Sequence, residues 1–280
     1  MIFDNRQCAL GEGPLWHPLR GQLFWFDITG RRLLSRNDDG PQEWHFADMV
    51  SAAGWVSHDE LLIASERALF RFNITTGTKT HVKALEVETS ATRSNDGRAD
   101  PQGGFWIGTM GKAAEPGLGS IWRYHRGELR RMYPDITISN AICFSPDGRT
   151  AHFTDTATAR VMRVGLDAEG WPVGQPETYL DLMSEGLLPD GAVIAADGSL
   201  WLAQWGAARV ANYAPDGQFL RAVTFDAPHT SCPAFGGNTL FCTTALQGMD
   251  AKARAAFPEA GMTFAVQGVA LGQKEHQVII

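Results

Sequence analysis

One short motif recurs six times along the chain, and this repeat constrains the fold more than any other feature of the sequence. Each copy is a turn followed by a strand rich in Trp, Phe and Leu. The copies occupy residues 19–27, 58–64, 101–109, 146–155, 196–203 and 236–244. Several turns contain Asp-Gly or Gly-Gly, which reach the positive φ angles that tight β-hairpins need. Such a repeat indicates supersecondary units that bury their apolar faces against their neighbours.

Further strands accompany this motif. A third strand follows several copies as a short apolar run, at 68–72, 120–124 and 160–164, and a polar turn and a fourth strand come next. Four strands in a unit of about 45 residues are typical of a propeller blade. The sequence therefore predicts an all-β fold, a six-bladed β-propeller with four antiparallel strands per blade, which occupies residues 1–280 as a single domain.

Two segments near the C-terminus fit the repeat less well. Residues 249–260 include an alanine-rich run, which predicts a short helix in an insertion of the last blade. The apolar segment 277–280 is expected either to close the ring by pairing with the first blade or to form a loose tail.

The starts of the innermost strands can be aligned between the six units. They are Glu12, Ser51, Asn95, Asn140, Asp190 and Ser231, separated by 39, 44, 45, 50 and 41 residues. In a propeller these positions surround one mouth of the central channel. Glu12, Asn140 and Asp190 carry strong oxygen donors. Two carboxylates with one amide oxygen suit a hard divalent cation such as Ca²⁺, Mg²⁺ or Mn²⁺.

Each of these residues also has an ordinary structural interpretation. Asp190 stands in a Pro-Asp-Gly sequence that is typical of a turn, and an Asn before a strand commonly caps a loop. Only the equivalent placement of the three residues in the repeat favours a metal site. Asp96 and Asp155 are expected to accept hydrogen bonds that stabilise the blades.

Composition and charge limit the classes of partner. The chain of 280 residues is 44% hydrophobic and 20% charged, with a net charge of −7 and no run of five like charges. These values favour neither a nucleic-acid nor an anionic-membrane partner. The N-terminus lacks the pattern of a signal peptide, and no apolar run approaches the roughly 18 residues that span a bilayer. A cytoplasmic monomer is therefore expected.

The cysteines indicate no disulfide framework. Cys8, Cys143, Cys232 and Cys242 form no C-x-x-C pair and are expected to be buried, reduced thiols. Cys232 and Cys242 are nevertheless spaced so that they can face each other across a hairpin.

Other catalytic motifs are absent from the sequence. It contains no G-x-S-x-G elbow, and its eight histidines show no H-E-x-x-H spacing. His229, which precedes the last inner strand, is a candidate for the channel mouth. Trp16 and Trp205 lie just beyond candidate site segments and are candidates for the pocket wall, whereas the other tryptophans are expected in the core.

Four segments of the chain resemble the gluconolactonase family, also called the senescence-marker-protein, regucalcin and luciferin-regenerating family. They are LGEGPLW at 10–16, RSNDG at 93–97, ISNA at 138–141 with SPDG at 145–148, and LPDG at 188–191. Each segment alone is weakly specific. Four segments in order at blade spacing are strongly specific, and the resemblance extends from Gly11 to about Gly268.

The resemblance implies a six-bladed propeller with one divalent metal in the channel mouth, held by Glu12, Asn140 and Asp190. It also implies substrate contacts from Arg93 and Asn95. A further substrate contact is implied in the loop 111–119, where Glu115 is the candidate. Calcium is the first expectation for the metal, with Mg²⁺, Mn²⁺, Zn²⁺ or Fe²⁺ as alternatives.

The activity that the resemblance implies is hydrolysis of a sugar-acid lactone to the open aldonic acid, as in a gluconolactonase. A metal at this site polarises the lactone carbonyl and stabilises the developing oxyanion. Asp190 is expected to act catalytically by accepting a proton from the attacking water. Arg93 offers a rigid fork of donors, and Asn95 both donates and accepts hydrogen bonds. The expected partner is a small sugar lactone, which the sequence does not identify further.

Other functions use similar residues. A non-enzymatic calcium-binding or regulatory propeller would keep the metal ligands but would not need Arg93 and Asn95. A phosphotriesterase-like or arylesterase-like hydrolase would also hold a channel metal, usually with more ligands and often a His. An interaction scaffold of WD repeats is disfavoured, because the Gly-His and Trp-Asp signatures are absent.

Overall fold

Six four-stranded antiparallel sheets make up the computed structural model, which describes residues 1–280. In five sheets the four strands pair in chain order, as expected for a meander built from successive hairpins. The predicted six-bladed β-propeller is confirmed. The first strand of each meander is the innermost, so six inner strands surround the central channel.

The first half of the chain forms three blades. Blade 1 contains β2 (Gly11–His17), β3 (Gln22–Asp27), β4 (Arg32–Asn37) and β5 (Gly40–His45). Blade 2 contains β6 (Val50–Ser57), β7 (Glu60–Ser65), β8 (Ala68–Asn73) and β9 (Lys79–Ala84). Blade 3 contains β10 (Thr92–Ala99), β11 (Phe105–Gly111), β12 (Gly119–His125) and β13 (Glu128–Ile136).

The second half forms the other three blades. Blade 4 contains β14 (Ser139–Phe144), β15 (Thr150–Asp155), β16 (Arg160–Leu166) and β17 (Pro172–Asp181). Blade 5 contains β18 (Leu188–Ile194), β19 (Leu200–Trp205), β20 (Arg209–Tyr213) and β21 (Phe219–Thr224). Blade 6 contains β22 (Thr230–Gly236), β23 (Thr239–Thr244), β24 (Thr263–Gln267) and the N-terminal β1 (Ile2–Asp4). Single 3-10 turns occur at Thr156–Thr158 and Met183–Glu185.

The ring is closed in blade 6 by the N-terminus of the chain. β1 pairs antiparallel with β24 and forms the outermost strand of this blade, so the edge of β24 is covered. The two expectations for residues 277–280 were both wrong. Val278 is buried, and its amide donates to the carbonyl of Trp55 in blade 2 at 2.9 Å. The segment therefore neither pairs with blade 1 nor forms a loose tail.

The predicted short helix is confirmed as α1 (Ala251–Ala256), which lies between β23 and β24. The Asp250 carboxylate accepts a hydrogen bond from the amide of Ala253 at 2.8 Å, which caps the first turn. No helix of the structure combines the length and the apolar character that a bilayer crossing requires.

The apolar core lies between neighbouring blades. Trp25, Trp106 and Trp201, on the second strands of blades 1, 3 and 5, are fully buried. One apolar cluster joins blades 1 and 2, and another joins blades 5 and 6. Because the apolar side chains pack between blades, the channel mouth is left to the polar ends of the inner strands.

All four cysteines are buried and free. Cys232 and Cys242 lie on adjacent strands of blade 6, but the residue opposite Cys242 is Pro233. The thiols of this hairpin are therefore offset by one residue.

Candidate metal centre and active site

Every inner strand contains a β-bulge close to the channel mouth. In blade 4, residues 140–143 of the inner strand face residues 152–154 of its partner, so one residue is extra. The inner strand likewise carries one extra residue relative to its partner at Glu12 in blade 1, at Asn95 in blade 3 and at Asp190 in blade 5. Because a bulge bends its strand and redirects a side chain, these residues face the channel mouth together.

The backbone is unusual beside two of these positions. Gly13 follows Glu12 with a φ of 54°, and a Cβ there would lie 2.1 Å from the carbonyl oxygen of Ser51. Ala141 follows Asn140 with a φ of 55°, which residues with a Cβ rarely adopt. Glycine adopts this conformation without strain and leaves room for the Ser51 carbonyl, whereas Ala141 places backbone strain beside a predicted metal ligand.

The channel mouth forms a pocket of about 250 Å³ with a polar floor and an apolar wall. The floor contains five of the predicted site residues, namely Glu12, Arg93, Asn95, Asn140 and Asp190, and all five are buried. The wall contains Leu10, Met110, Ile138, Leu188 and Trp205. Residues that are far apart in the sequence therefore converge where the repeat predicted.

A larger cavity of about 580 Å³ lies between blades 4 and 5. Its charged groups already have partners: Glu177 pairs with Arg163, while Asp147 and Asp197 accept hydrogen bonds within their own turns. An active site requires converging polar groups that are still free to bind a ligand. The smaller pocket at the channel mouth is therefore the better candidate.

Glu12 and Asp190 are buried carboxylates that form no ion pair. Their exposed fractions are 4% and 5%, and the Glu12 carboxylate accepts a hydrogen bond from the Gly13 amide at 2.9 Å. Burial, together with the negative charge of Asp96, raises the pKa of Glu12 to about 8. Burial and the charge of Glu12 raise the pKa of Asp190 well above its usual value. The charge of Arg93 therefore does not fully compensate the two carboxylates in the floor of the pocket.

Arg93 is the one cationic residue that lines this pocket. Its Nη1 donates to Oδ1 of Asn95 at 2.7 Å and to the carbonyl of Ser94 at 2.9 Å. Burial lowers the pKa of Arg93 to about 10, against the attraction of Glu12 and Asp190. The guanidinium is still charged at neutral pH, and it offsets part of the negative charge through space.

Hydrogen bonds fix the orientation of the Asn140 amide. Nδ2 of Asn140 lies 2.9 Å from Oγ1 of Thr156, which donates its single proton to the carbonyl of Pro189 at 2.7 Å. The hydroxyl must therefore accept from Asn140, which leaves Oδ1 of Asn140 on the side of Asn95. Nδ2 of Asn95 donates to that oxygen at 3.0 Å, and the second lone pair is available to a metal.

Sequence reasoning did not identify Thr156 and Gln247, which also line the pocket. For Thr156 a signal was present. β15 runs antiparallel to β14 and Asp155 pairs with Ser139, so the residue after β15 lies at the same end of the blade as Asn140. Gln247 lies in the loop after β23, where no repeat position marks it.

Glu115 is a predicted substrate contact that the structure does not bring to the pocket. It is exposed, and its carboxylate accepts a hydrogen bond from the Ala113 amide at 3.1 Å, within its own loop. Ala114, with a φ of 57°, is the residue of this loop that lines the pocket. A substrate contact from Glu115 would require a different conformation of the loop.

The proposed wall position of Trp205 is confirmed, and His229 supports it from behind. The two rings are parallel within 7°, with their centroids 4.3 Å apart. His229 itself does not line the pocket. Trp16 stacks on Phe241 and does not line the pocket either. Trp205 thus presents a flat apolar surface above the polar floor.

Comparisons with known proteins place the chain among lactonase-like relatives. A family described as the SMP-30/Gluconolactonase/LRE-like region matches residues 10–246. A Rhizobium meliloti (strain 1021) protein, provisionally named a sugar lactone lactonase, is 44% identical over 268 residues, 94% of this chain and 91% of that protein. The L-arabinolactonase of Azospirillum brasilense is 32% identical over 275 residues, 95% of this chain and 91% of that protein.

A solved structure is similar over the whole propeller. The crystal structure of a calcium-binding protein, regucalcin, from Agrobacterium tumefaciens superposes with a TM-score of 0.97 at 37% sequence identity. The match covers 100% of this chain and 97% of that one. The fold around the pocket is therefore shared with that protein.

Proposed function

Because the chain belongs to the SMP-30/gluconolactonase/LRE-like family, we propose that it hydrolyses a sugar-acid lactone to the open aldonic acid. We further propose that the reaction requires a divalent metal ion in the channel mouth. The observation that carries the proposal is the convergence of Glu12, Asn140 and Asp190 on the floor of one pocket. The lactonase names of the relatives from Rhizobium meliloti and Azospirillum brasilense support the reaction class.

The donor set fits a hard divalent cation. Glu12, Asn140 and Asp190 offer oxygen atoms from three separate blades, and no His or Cys side chain lines the pocket. A dication would neutralise the two carboxylates and offset the burial and the carboxylate repulsion that raise their pKa values. Calcium is the first candidate, because the relative from Agrobacterium tumefaciens is described as calcium-binding. Elemental analysis of the purified protein distinguishes it from Mg²⁺, Mn²⁺, Zn²⁺ and Fe²⁺.

When bound, the metal would supply Lewis-acid chemistry, polarising the lactone carbonyl and stabilising the charge that develops on its oxygen. Asp190, which would help to hold the metal, can also accept the proton of the attacking water. The ester bond to the ring oxygen then breaks, and that oxygen takes up a proton. Arg93 can donate to a substrate oxygen from the guanidinium nitrogens other than Nη1. Asn95 gives its amide protons to Ser139 and Asn140, so it can accept a hydrogen bond from a substrate hydroxyl.

The dimensions of the pocket indicate a small substrate. Its volume of about 250 Å³ lies below the range of roughly 300–1,000 Å³ that is common for drug-sized ligands. One monosaccharide-sized ring therefore suits it better than a disaccharide. The polar floor suits the carbonyl and hydroxyl groups, and the apolar wall suits a face of the ring that carries C–H bonds.

We expect Trp205→Ala to raise KM about 3- to 10-fold with little change in kcat, because the indole contacts the ring of the substrate but not the reacting atoms. Trp205→Phe should retain most of the affinity, since it keeps an aromatic surface. Steady-state kinetics of both variants test this expectation. A KM that is unchanged in Trp205→Ala would show that the indole is not a binding surface.

The lactonase proposal is tested by incubating the metal-loaded protein with a panel of 1,4- and 1,5-aldonolactones. Acid release is followed with a pH indicator and corrected for spontaneous ring opening. We expect a metal-dependent rate on at least one lactone. Calcium binding without hydrolysis of any lactone would contradict the proposal and would favour the non-enzymatic calcium-binding function.

A further inference from the structure

The last residues of the chain cross the channel at the end opposite the active site. We call residues 271–279 the C-terminal strap. The inner strands all begin at the channel mouth, so their last residues surround the far end. The strap forms backbone hydrogen bonds there with blades 2, 3, 5 and 6, through Trp55, Gly103, Ala196 and Gly237. Its contacts with blade 4 come from a side chain.

That side chain is Gln273, which joins two inner strands. Its Nε2 donates to the carbonyl of Phe144 at 3.0 Å and to the carbonyl of Ile194 at 2.9 Å. Phe144 and Ile194 are the last residues of β14 and β18. These are the strands that carry Asn140 and Asp190 at their other ends. One amide group of the strap therefore ties together the strands of two proposed metal ligands.

Glu275 makes the second side-chain contact of the strap. It forms an ion pair with Arg98, and the two side chains are only 6% and 9% exposed. Arg98 lies on β10, the strand of Arg93 and Asn95, and its Nη2 donates to the carbonyl of Ala192 on β18 at 3.4 Å. The strap carboxylate thus neutralises a buried guanidinium that links the inner strands of blades 3 and 5.

A buried carboxylate between Arg98 and the pocket extends this connection to blade 4. Oδ2 of Asp96 accepts a hydrogen bond from the amide of Ile142 at 2.7 Å, and Oδ1 accepts one from Gly97 at 2.9 Å. Asp96 follows Asn95, and Ile142 lies two residues after Asn140. The charge of Arg98 favours the ionised form of Asp96 against the effect of burial. The inner strands of blades 3, 4 and 5 are therefore connected below the pocket.

We propose that the C-terminal strap is a positioning element for the active site. Gln273 and Glu275 hold the inner strands of blades 3, 4 and 5 at the spacing that lets Asn95, Asn140 and Asp190 act together. The kinetic consequence of this proposal rests on the proposed lactonase function, whereas the structural coupling does not. Neither residue touches the pocket, so both act through the strands that they hold.

The proposal is tested with Glu275→Gln, which keeps the shape of the side chain but leaves the charge of Arg98 unpaired. Val278→Ala is the matched control, because Val278 lies on the same strap, packs in an apolar cluster with Phe105 and is not a polar partner of Arg98. Both variants should lower the melting temperature. Only Glu275→Gln should lower kcat, by about tenfold or more and with a smaller change in KM. Gln273→Ala removes the link between β14 and β18 without changing a charge. It replaces Glu275→Gln in the same measurements if that variant does not fold.

Hydrogen exchange supplies a measurement that needs neither metal nor lactone. In the metal-free protein, amides of residues 139–144 and 188–194 should exchange faster in Glu275→Gln and Gln273→Ala than in Val278→Ala. Wild-type exchange in both variants would overturn the proposal, and so would an equal loss of kcat in the Val278→Ala control. If the wild-type protein hydrolyses no lactone, the proposed function fails, but the exchange comparison still decides the role of the strap.

Discussion

Asp190→Ala is expected to lower kcat for lactone hydrolysis by about 10³-fold or more, since the change removes a metal ligand and the proton acceptor together. Asp197→Ala is the matched control. Both aspartates belong to blade 5 and precede a glycine, but Asp197 is exposed and caps its own turn by accepting from the Ser199 amide at 2.9 Å. The control should retain wild-type kcat.

The loss of activity in Asp190→Ala should occur without a loss of folding. In the metal-free protein Asp190 is a buried carboxylate whose pKa is raised by burial and by the charge of Glu12. Its removal relieves that repulsion, so the melting temperature of the metal-free variant should not fall below that of the metal-free wild type at pH 8. An Asp190→Ala variant with more than a tenth of wild-type kcat would contradict the assignment of this residue.

Removing the metal with a chelator is expected to abolish activity and to lower the melting temperature, more at pH 8 than at pH 5. At a metal concentration 100-fold above the dissociation constant, binding stabilises the folded state by about 2.7 kcal/mol. For a chain of this size that corresponds to roughly 5–10 °C. Calorimetric melting curves with metal and with chelator measure the difference at each pH.

The direction of the pH dependence follows from Glu12. Burial raises its pKa from 4.5 to about 8 in the folded protein without metal. Between these values the unfolded chain has lost a proton that the folded protein keeps, so the free energy of unfolding of the metal-free protein decreases as the pH rises. Metal binding needs the ionised carboxylates, and its stabilising effect therefore grows with pH over the same range.

Glu12→Gln provides the control for this prediction. It removes the titrating group while keeping the size of the side chain, so the metal-free variant should lack the decrease in stability that Glu12 causes between pH 4.5 and 8. A metal-induced shift in melting temperature that is equal at pH 5 and pH 8 in the wild-type protein would contradict the prediction. If the metal raised the melting temperature of Glu12→Gln as much as that of the wild-type protein, the ion would bind elsewhere.

Part of the candidate site could be predicted from the sequence, because residues at the same position of each propeller repeat lie at the same end of the channel. Glu12, Asn140 and Asp190 lie within the first three residues of the inner strands of blades 1, 4 and 5. Corresponding ends of these strands in a ring of blades lie at the same mouth. The turns that reveal this register are local features of the chain. The loop of Glu115 lies outside the repeat, and its conformation depends on contacts within the loop.

The sequence by itself determined the number of blades, the register of the inner strands and the polar residues that start them, because turns and strand patterns depend on residues close together in the chain. Only the tertiary structure decided which strand closes the ring, how the Asn140 amide is oriented and where the C-terminal strap lies. These features depend on contacts between distant residues, such as that between Gln273 and Phe144, which are 129 positions apart. The burial that raises the pKa values of Glu12 and Asp190 exists only when the blades have assembled.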